Sequence, residues 1–488
     1  MKPRTLGELK QQHGEPSNYR SIRDEIRENL ISKLASKEPL FPGIIGYDDS
    51  VIPGLINALL SKHNLIILGL RGQAKSRILR ALTDFLEEEI ACVAGCEIND
   101  DPFFPICAIC KKRIQEEADD LPITFLPRDK RFVEKLATPD VTIADIIGDL
   151  DPIKAAKHGR DLSAHENIHF GLLPRAHRGI FVMNELPDLA PKIQVGLFNI
   201  MQEGDVQIKG FPIRLPLDIF MVFSANPEDY TARGRIITPL KDRIGSEVKT
   251  HYPYTIEDGV RITLQEAWLE RNCSNKIVTP DFITEIIEGI AFHGRQDQRI
   301  DKRSGVSQRL PISCLEVTVS NAEQRALRAQ EDPVVPRLSD VYASLPAITG
   351  KLELEYEGEL KGAEKIAIQL IQSSVLRAFE RHFPNQNFDQ IVQWFDLGGE
   401  VLVSDQTPSQ EYFQKVKSIQ GLEEILEKLG VSPKSDLATA VSLIEFILEG
   451  LHAQKKLSRS QGRGYFREAA EQDKELLGDY PLPKRSFN

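Results

Sequence analysis

The segment GLRGQAKSR, from Gly69 to Arg77, has the residue types and spacing of a loop that binds phosphate. It follows the apolar run LIILGL and precedes the helical segment RILRALTDFLEEE. The phosphate-loop pattern is G-x-x-x-x-G-K-[ST] between a strand and a helix, and Gly69, Lys75 and Ser76 match it. Ala74 occupies the place of the second glycine. The loop predicts a nucleotide site whose contacting residues are Gly69, Arg71, Gly72, Gln73, Ala74, Lys75, Ser76 and Arg77.

Backbone N–H groups make most of the phosphate contacts in such a loop. Lys75 would reach the β- and γ-phosphates, and Ser76 would ligate Mg²⁺. Alanine at position 74 costs stability only if the loop needs a positive φ or a very close approach there. The alternative is an ordinary strand, turn and helix in which a glycine and a Lys-Ser pair occur by chance.

A second apolar run, in RGIFVMNELPDL, ends at Asn184 and Glu185. A strand of this type in an ATPase normally ends in Asp-Glu, where the aspartate holds the Mg²⁺ shell and the glutamate polarises the attacking water. Glu185 is therefore the candidate general base. Asn184 would accept a hydrogen bond from a metal-bound water but brings no negative charge, so we expect weaker Mg²⁺ binding. The alternative is a buried strand with a polar cap.

A third apolar run ends in SANPEDY, which places Asn226 where it would hold the attacking water or the γ-phosphate. Arg243, in TPLKDRIG, is a candidate arginine finger. Such a finger serves the ATP of a neighbouring subunit and therefore implies a ring. The alternative for Arg243 is a surface salt bridge.

The elements that must position these residues are strands and helices in alternation. LIILGL (65–70), GIFVM (179–183) and IFMVFSAN (219–226) are continuous apolar runs of strand length. Strands that are apolar on both faces are typical of a parallel sheet covered by helices. Because ligands of such sheets bind at the carboxyl ends of the strands, the three polar ends are expected to form one site.

Four regions are predicted along the chain. Residues 1–40 form a helical leader, with Ile22, Ile26, Leu30 and Leu34 at helical spacing. Residues 41–255 form the α/β core, 256–345 a helical region, and 346–488 a second helical region. The last region contains two apolar stripes that indicate helices packed on a core. Their members are Ala367, Leu370, Ile371, Val375, Ala378 and Phe379 in one stripe, and Leu437, Val441, Ile444, Leu448 and Leu451 in the other.

An insert at about 91–120 carries four of the six cysteines, namely Cys92, Cys96, Cys107 and Cys110. Two close pairs separated by a short loop predict a tetrahedral Cys₄ zinc site. The role would be structural, because the insert has few apolar residues with which to pack. The alternative is four free thiols. Cys273 and Cys314 are expected to be ordinary thiols.

Composition excludes several classes of protein. The hydrophobic content of 41% and charged content of 27% are typical of a globular domain. A net charge of -11 argues against nucleic-acid binding by the whole surface. No run approaches the length of a membrane span, and the polar N-terminus lacks the apolar centre of a signal peptide. We therefore expect a cytoplasmic protein.

The order of the motifs resembles the AAA+ ATPase subunit of magnesium chelatase and its MoxR-like relatives, over roughly residues 38–330. Ile45 and Gly46, in LFPGIIGYDDSV, match the segment that lies by the adenine. IIGDLDPIKAAKHGR, followed by HFGLLPRAHRGIFVMNEL, is the most specific match. PLKDRIG resembles the finger segment, and Arg309, in SGVSQRLPI, matches the sensor arginine of the lid.

The resemblance implies an AAA+ P-loop domain with a central parallel sheet, a helical lid and a C-terminal helical region. It also implies ATP and Mg²⁺ as cofactors and a homo-oligomeric ring, taken to be a hexamer. A von Willebrand-type or chelatase subunit would be the partner. Ala74 and Asn184 depart from the family pattern, which leaves a nucleotide-gated scaffold with weak hydrolysis open. A sigma-factor-type transcription activator is the remaining alternative, but its Gly-Ala-Phe-Thr-Gly-Ala loop and its helix-turn-helix end are missing.

Overall fold

The computed structural model describes residues 2–150, 168–207, 214–227, 234–271, 275–460 and 464–467. The chain divides into two compact units, Met1–Tyr252 and Pro253–Asn488. Of the segment IIGDLDPIKAAKHGR, residues 151–160 lie outside the described residues, as does Cys273. In the described part of the chain, no helix is both long and apolar enough to cross a bilayer. The cytoplasmic location stays a prediction.

The first unit is built on β-strands that form one central sheet and several two-stranded pairs. The strands are β1 (Leu65–Leu68), β2 (Glu89–Val93), β3 (Ile123–Pro127), β4 (Phe132–Leu136), β5 (Gly148–Leu150), β6 (Ile168–Phe170), β7 (Gly179–Asn184), β8 (Asp205–Gln207), β9 (Arg214–Pro216), β10 (Ile219–Ala225) and β11 (Ser246–Lys249). Five of them are parallel and form the central sheet in the order β11-β1-β10-β7-β4. This confirms the predicted α/β fold with a central parallel sheet. Two-stranded antiparallel pairs accompany it: β2 with β3, β5 with β6 and β8 with β9.

Helices cover the sheet of the first unit. They are α1 (Leu6–His13), α2 (Ile22–Ser36), α3 (Val51–Leu60), α4 (Lys75–Ala81), α5 (Ala108–Glu117), α6 (Ile143–Ile146), α7 (Leu172–Arg175), α8 (Pro191–Glu203) and α9 (Thr238–Arg243). Short 3₁₀ helices run over Leu82–Phe85, Ala118–Asp120, Arg128–Arg131 and Leu186–Asp188.

The sheet lies between two apolar cores, which explains the continuous apolar runs. Successive residues of one strand alternate between the cores: Val182 belongs to the core with α2 and α3, and Met183 to the opposite one. Strands β1, β7 and β10 are central, and every position of β1 and β10 is buried. The edge strands β4 and β11, with sequences FVEKL and SEVK, are largely half-buried or exposed. Because their sequences mix apolar and charged residues, these strands do not form the continuous apolar runs that predicted the central strands.

The predicted leader helix is α2, and it packs on the sheet through a buried ion pair. Ile22, Ile26 and Leu30 are buried as expected, whereas Leu34 is 41% exposed. Glu25 accepts two hydrogen bonds from Arg131, at 2.7 and 2.6 Å, and both side chains are buried. Ser21 caps the helix through a capping box.

Further polar groups meet at the amino ends of β7 and β10. Tyr19 donates to Asp218 at 2.8 Å, and the Ile22 N–H donates to the same carboxylate at 2.7 Å. The backbone N–H of Asp218 donates to Nδ1 of His177 at 3.0 Å. Burial, and next the charge of Arg178, lower the pKa of His177 to about 3, so this imidazole is neutral.

In its described residues, the second unit is helical apart from one small hairpin. Its helices are α10 (Ile256–Glu266), α11 (Asp281–Gln296), α12 (Arg309–Ala329), α13 (Leu338–Ala343), α14 (Leu345–Thr349), α15 (Tyr356–Lys361), α16 (Ala363–His382), α17 (Asp389–Asp396), α18 (Ser409–Val416), α19 (Leu422–Lys428) and α20 (Leu437–Ala453). The hairpin pairs β12 (Ser458–Ser460) with β13 (Gly464–Phe466).

One apolar core runs through this unit, from Phe282 to Tyr465, and it includes Cys314. It crosses the predicted boundary at residue 345, so the division into a lid and a further helical region stays a prediction. The stripe of α16 is buried as expected. Helix α20 differs from the prediction, because it is buried on all sides from Ala440 to Leu451 rather than along one stripe. Its buried glutamates explain the difference: Ser339 donates its N–H to Glu445, and Glu449 pairs with Arg459.

Candidate functional site

The predicted phosphate loop closes the carboxyl end of β1 and leads into α4. The Gly69 N–H donates to the Ala225 carbonyl at 3.1 Å, which joins the loop to the end of β10. A Cβ at position 69 would lie 1.8 Å from Thr250 Oγ1 and 2.5 Å from Gln73 Oε1. Only glycine fits this close approach. The loop is therefore seated directly against the ends of β10 and β11.

Two residues of the loop adopt left-handed backbone conformations. Gly72 has φ of 71°, and Ala74, immediately before α4, has φ of 55° and ψ of 16°. Glycine reaches this region without cost, whereas a residue with a Cβ loses roughly 1–2 kcal/mol there. Ala74 thus keeps the backbone path of the glycine that the pattern calls for, at the cost of local strain.

Hydrogen bonds inside the loop hold its shape. Gln73 Oε1 accepts from the Leu70 N–H at 2.8 Å and from Thr250 Oγ1 at 2.9 Å. Lys75 Nζ donates to the carbonyls of Gly69, at 2.5 Å, and Leu70, at 3.2 Å. The buried lysine therefore lies within the curve of the loop. Arg71, Ser76 and Arg77 are exposed.

The segment predicted to lie by the adenine joins the same region. Ile45 and Gly46 are half-buried, and Gly46 has φ of 76°. The next residue, Tyr47, donates its hydroxyl to the Gln73 carbonyl at 3.1 Å and to the His251 carbonyl at 2.7 Å. This hydroxyl fixes the entry segment to the phosphate loop.

Asn184 ends β7, two strands away from β1. Its Nδ2 donates to Glu134 Oε1 at 2.5 Å, and its Oδ1 accepts from the buried Ser224 hydroxyl at 2.9 Å. Glu134, on the neighbouring strand β4, also accepts from Arg80 of α4 at 3.2 Å. The carboxylate missing from position 184 is thus present beside it, on the adjacent strand.

Glu185 directly follows β7 and has a left-handed backbone, with φ of 52° and ψ of 50°. Its N–H donates to Ser224 Oγ at 3.3 Å. Its Oε2 is buried and has no hydrogen-bond partner among the described residues. A strained backbone that carries a buried carboxylate oxygen without a partner is a common feature of functional sites.

Asn226 follows β10 and is buried. Because β10 lies between β1 and β7, Asn226 lies between the phosphate loop and Glu185 in strand order. Arg243 ends α9, where its guanidinium lies 4.3 Å from the ring centre of Phe198 and donates to Gln202 at 3.2 Å. Arg309 belongs to the second unit, where it is the exposed first residue of α12. The roles of all three residues stay predictions.

Sequence reasoning did not find four residues of this region: Tyr47, Glu134, Ser224 and Thr250. Tyr47 lies in LFPGIIGYDDSV, next to Gly46, and Ser224 lies in SANPEDY, two positions before Asn226. Glu134 and Thr250 lie on or just after the edge strands, which the apolar-run criterion did not detect. The alternation of apolar and charged residues in FVEKL is the signal that would have found Glu134.

The cysteine insert connects β2 to β3 at the amino end of the sheet, but the group it forms differs from the predicted one. The ligand atoms of Cys96, Asp100, Cys107 and Cys110 all lie within 4.8 Å of one another. Cys92, predicted as the fourth ligand, is not in this group. It is buried in β2, where Arg178 donates to its sulfur at 3.7 Å. Burial raises the pKa of its thiol to about 11.

No protein-family model matches the chain. A magnesium-chelatase subunit ChlI homolog from Methanocaldococcus jannaschii is 30% identical over 226 residues, which are 46% of this chain and 57% of that protein. Magnesium-chelatase subunit ChlI from Synechocystis is 30% identical over 236 residues, 48% of this chain and 62% of the relative. The chloroplastic subunit ChlI-1 of Arabidopsis thaliana is 28% identical over 254 residues, 50% of this chain and 57% of the relative. The chain thus spans less than two thirds of each relative.

Among solved structures, a complex between subunits BchI and BchD of magnesium chelatase aligns with 66% of this chain and 98% of that chain. The identity is 21% and the TM-score is 0.35, a value too low to carry an argument. The sequence matches, together with the parallel sheet and its phosphate loop, support an AAA+ ATPase fold of the magnesium-chelatase type. Over the matched half of its length, the chain is similar to the magnesium-chelatase ChlI subunits.

Proposed function

We propose that the chain binds ATP with Mg²⁺ at the carboxyl ends of β1, β10 and β7 and hydrolyses it as a subunit of a homo-oligomeric ring. The observation that carries this proposal is the junction of the three strand ends. The Gly69 N–H is bonded to the Ala225 carbonyl, and Ser224 bonds both Asn184 and Glu185. One short hydrogen-bonded path therefore connects the phosphate loop to the candidate base.

Each residue has a role that its position allows. Lys75, which now donates to loop carbonyls, would turn its ammonium to the β- and γ-phosphates. Ser76 would offer its exposed hydroxyl to the Mg²⁺ that accompanies ATP, and that ion would neutralise phosphate charge. Glu185 would accept the proton of the attacking water through its unpartnered oxygen, while Asn226 would orient that water.

The ring is proposed to be a hexamer in which Arg243 contacts the ATP of the neighbouring subunit. Its guanidinium is half-exposed at the end of α9, where it contacts Gln202 and pairs with the exposed carboxylate of Asp242, and an exposed pair of this kind is weak enough to exchange for phosphate. Arg309 is proposed as the sensor arginine. Such arginines supply positive charge when the γ-phosphate leaves.

The work done by this ATPase is proposed to be the remodelling of a partner protein or assistance to metal insertion. The support is the sequence likeness to subunits of magnesium chelatase. A chelatase subunit or a von Willebrand-type protein is the proposed partner.

The test compares ATP turnover and nucleotide affinity of the parent with Lys75→Ala and Glu185→Gln. Loss of the general base should reduce turnover about 10²–10⁴-fold while ATP still binds. Lys75→Ala should lose affinity as well. Light scattering with and without ATP reports the ring. Turnover in both variants equal to the parent's would contradict the proposal.

A nucleotide-gated scaffold with weak hydrolysis is the second candidate. It is favoured by the Asn184–Glu134 hydrogen bond, because an amide takes the place of a metal-side carboxylate. The measurement is the steady-state turnover of the parent at saturating ATP and Mg²⁺. A value within the ordinary enzyme range of about 1–10³ s⁻¹ would contradict the scaffold.

A further inference from the structure

We infer that the cysteine insert is a structural zinc site whose ligands are Cys96, Cys107, Cys110 and the carboxylate of Asp100. This ligand set is new relative to the four cysteines that spacing alone suggests. It is also independent of the nucleotide site, because the insert lies at the amino end of the sheet.

The geometry of the four ligand atoms fits a tetrahedral ion. Zinc–sulfur bonds of about 2.3 Å place tetrahedral ligand atoms about 3.8 Å apart. A zinc–oxygen bond of about 2.0 Å places the carboxylate oxygen about 3.5 Å from each sulfur. The four atoms lie within 4.8 Å of one another, so a contraction of roughly 1.3 Å at most converts the group into a coordination shell. Three thiolates with one carboxylate favour zinc over Mg²⁺ or Ca²⁺, which prefer oxygen ligands.

Backbone N–H groups already point at the ligand atoms. The Asp100 N–H donates to Cys96 Sγ at 3.5 Å, and the Cys110 N–H donates to Cys107 Sγ at 3.2 Å. The two oxygens of Asp100 accept from the N–H groups of Ile106 and Cys107, each at 2.9 Å. Such bonds orient metal ligands and leave each carboxylate oxygen a further lone pair for the ion.

Burial supports a structural role. Asp100 is completely buried, and both Cys107 and Cys110 are buried with it. Between Ala94 and Asp120 the remaining buried side chains are Ile98 and Pro102. Ile98 belongs to the core of the first unit, and a structural zinc ion would add folding free energy directly to the few apolar contacts of the insert. A buried carboxylate beside three thiols is also costly unless a cation compensates it.

Cys92 is excluded as a ligand by its own contacts. It lies inside strand β2, and its sulfur faces the guanidinium of Arg178, which also pairs with Asp101 at 3.0 Å. A cationic neighbour on the sulfur occupies the direction from which a metal would bind. Cys92→Ser is therefore a matched control: it changes a cysteine equally buried in the same insert.

The experiment measures bound metal by elemental analysis of the full chain purified under reducing conditions without added nucleotide. We expect one zinc per chain in the parent and in Cys92→Ser. Cys96→Ser, Cys107→Ser and Cys110→Ser should each lower the zinc content at least tenfold, and Asp100→Asn should lower the affinity measured by chelator competition. Retention of zinc by Cys107→Ser, loss of it in Cys92→Ser, or a parent without zinc would overturn the inference.

A second measurement uses the parent protein alone, so it tests the site even if the cysteine variants do not fold. X-ray absorption of the zinc-loaded parent should give three sulfur ligands and one oxygen ligand, and Co²⁺ substitution should give the spectrum of a tetrahedral tris-thiolate site. Four sulfur ligands would overturn the assignment of Asp100. Neither measurement depends on ATP, so a failure of the zinc inference would leave the proposed ATPase function untouched, and the reverse also holds.

Discussion

The two ends of the five-stranded sheet differ in how they hold their buried carboxylates. At the amino end, Arg131 is bonded twice to Glu25, and Asp218 accepts from Tyr19 and Ile22. At the carboxyl end, Glu185 has a left-handed backbone and a buried oxygen without a partner among the described residues. The paired carboxylates at the amino end therefore contribute to stability, whereas the oxygen of Glu185 that has no partner is available to a ligand.

The largest expected effect comes from breaking the Glu25–Arg131 pair. Glu25→Ala leaves a buried arginine unpaired, which typically costs about 3–5 kcal/mol of unfolding free energy. At the other end, Glu185→Gln should change stability by less than about 0.5 kcal/mol, because its Oε2 loses no hydrogen bond. Urea unfolding of both variants measures the contrast.

The control for this contrast is the double variant Glu25→Met with Arg131→Met. Replacing both partners by apolar residues should restore most of the lost stability, because no buried charge is then left unpaired. A double variant as unstable as Glu25→Ala would contradict the explanation. Equal losses in Glu25→Ala and Glu185→Gln would remove the difference between the two ends.

Acid should weaken the amino end through His177. The pKa of this imidazole is about 3 in the folded protein and about 6.5 when unfolded, so between these values only the unfolded chain binds the proton. Stability should therefore fall as pH decreases from 6.5 to 3, by about 1.4 kcal/mol per pH unit at full slope. His177→Gln should flatten this slope when unfolding is measured across the window.

Asp218 acts in the opposite direction, because burial raises the pKa of its carboxyl. It is present in both proteins, so the difference between parent and His177→Gln isolates the histidine. Equal slopes in the two proteins would contradict the assignment.

At the carboxyl end, Asn184→Asp tests whether position 184 and the neighbouring Glu134 lie beside the Mg²⁺ that accompanies ATP. It would place two carboxylates where the Asn184 amide now donates to Glu134, and Mg²⁺ would relieve their repulsion. We expect at least a tenfold rise in ATP turnover and a steeper Mg²⁺ dependence. Adding Glu134→Gln should return the Mg²⁺ dependence toward the parent's. Mg²⁺ titrations that coincide for parent and Asn184→Asp would count against a metal beside position 184.

The smallest effect is predicted for Ala74→Gly. Removing the Cβ relieves a left-handed alanine, a gain of roughly 1 kcal/mol that the added freedom of the unfolded chain partly offsets. Thermal unfolding with and without ATP measures it. Ala81→Gly, at the last residue of α4, is the matched control and should destabilise by about 0.5–1 kcal/mol. A loss of unfolding free energy in Ala74→Gly as large as that in Ala81→Gly would contradict backbone strain at position 74.

Sequence reasoning found the central strands and the loop because their signals are local. Apolar runs marked β1, β7 and β10, and the Gly-to-Lys-Ser spacing marked the phosphate loop. The partners of Asn184 were not predictable in this way, because Glu134 and Ser224 reach it through strand order. The cysteine insert shows the same limit. Spacing along the chain predicted Cys92 as a ligand, whereas the folded chain places Asp100 beside Cys96, Cys107 and Cys110.

The contacts of helix α2 also set the order in which this unit is completed during synthesis. Its Glu25 and Ile22 are matched by Arg131 and Asp218, 106 and 196 residues later. At about 5–20 residues per second, roughly ten to forty seconds separate the emergence of Ile22 from that of Asp218. The apolar face of α2 also packs against α3 and the 3₁₀ helix Leu82–Phe85, which emerge earlier. The Glu25 carboxylate and the Ile22 N–H, in contrast, lack these partners until Arg131 and Asp218 have been made, and slow translation prolongs that interval.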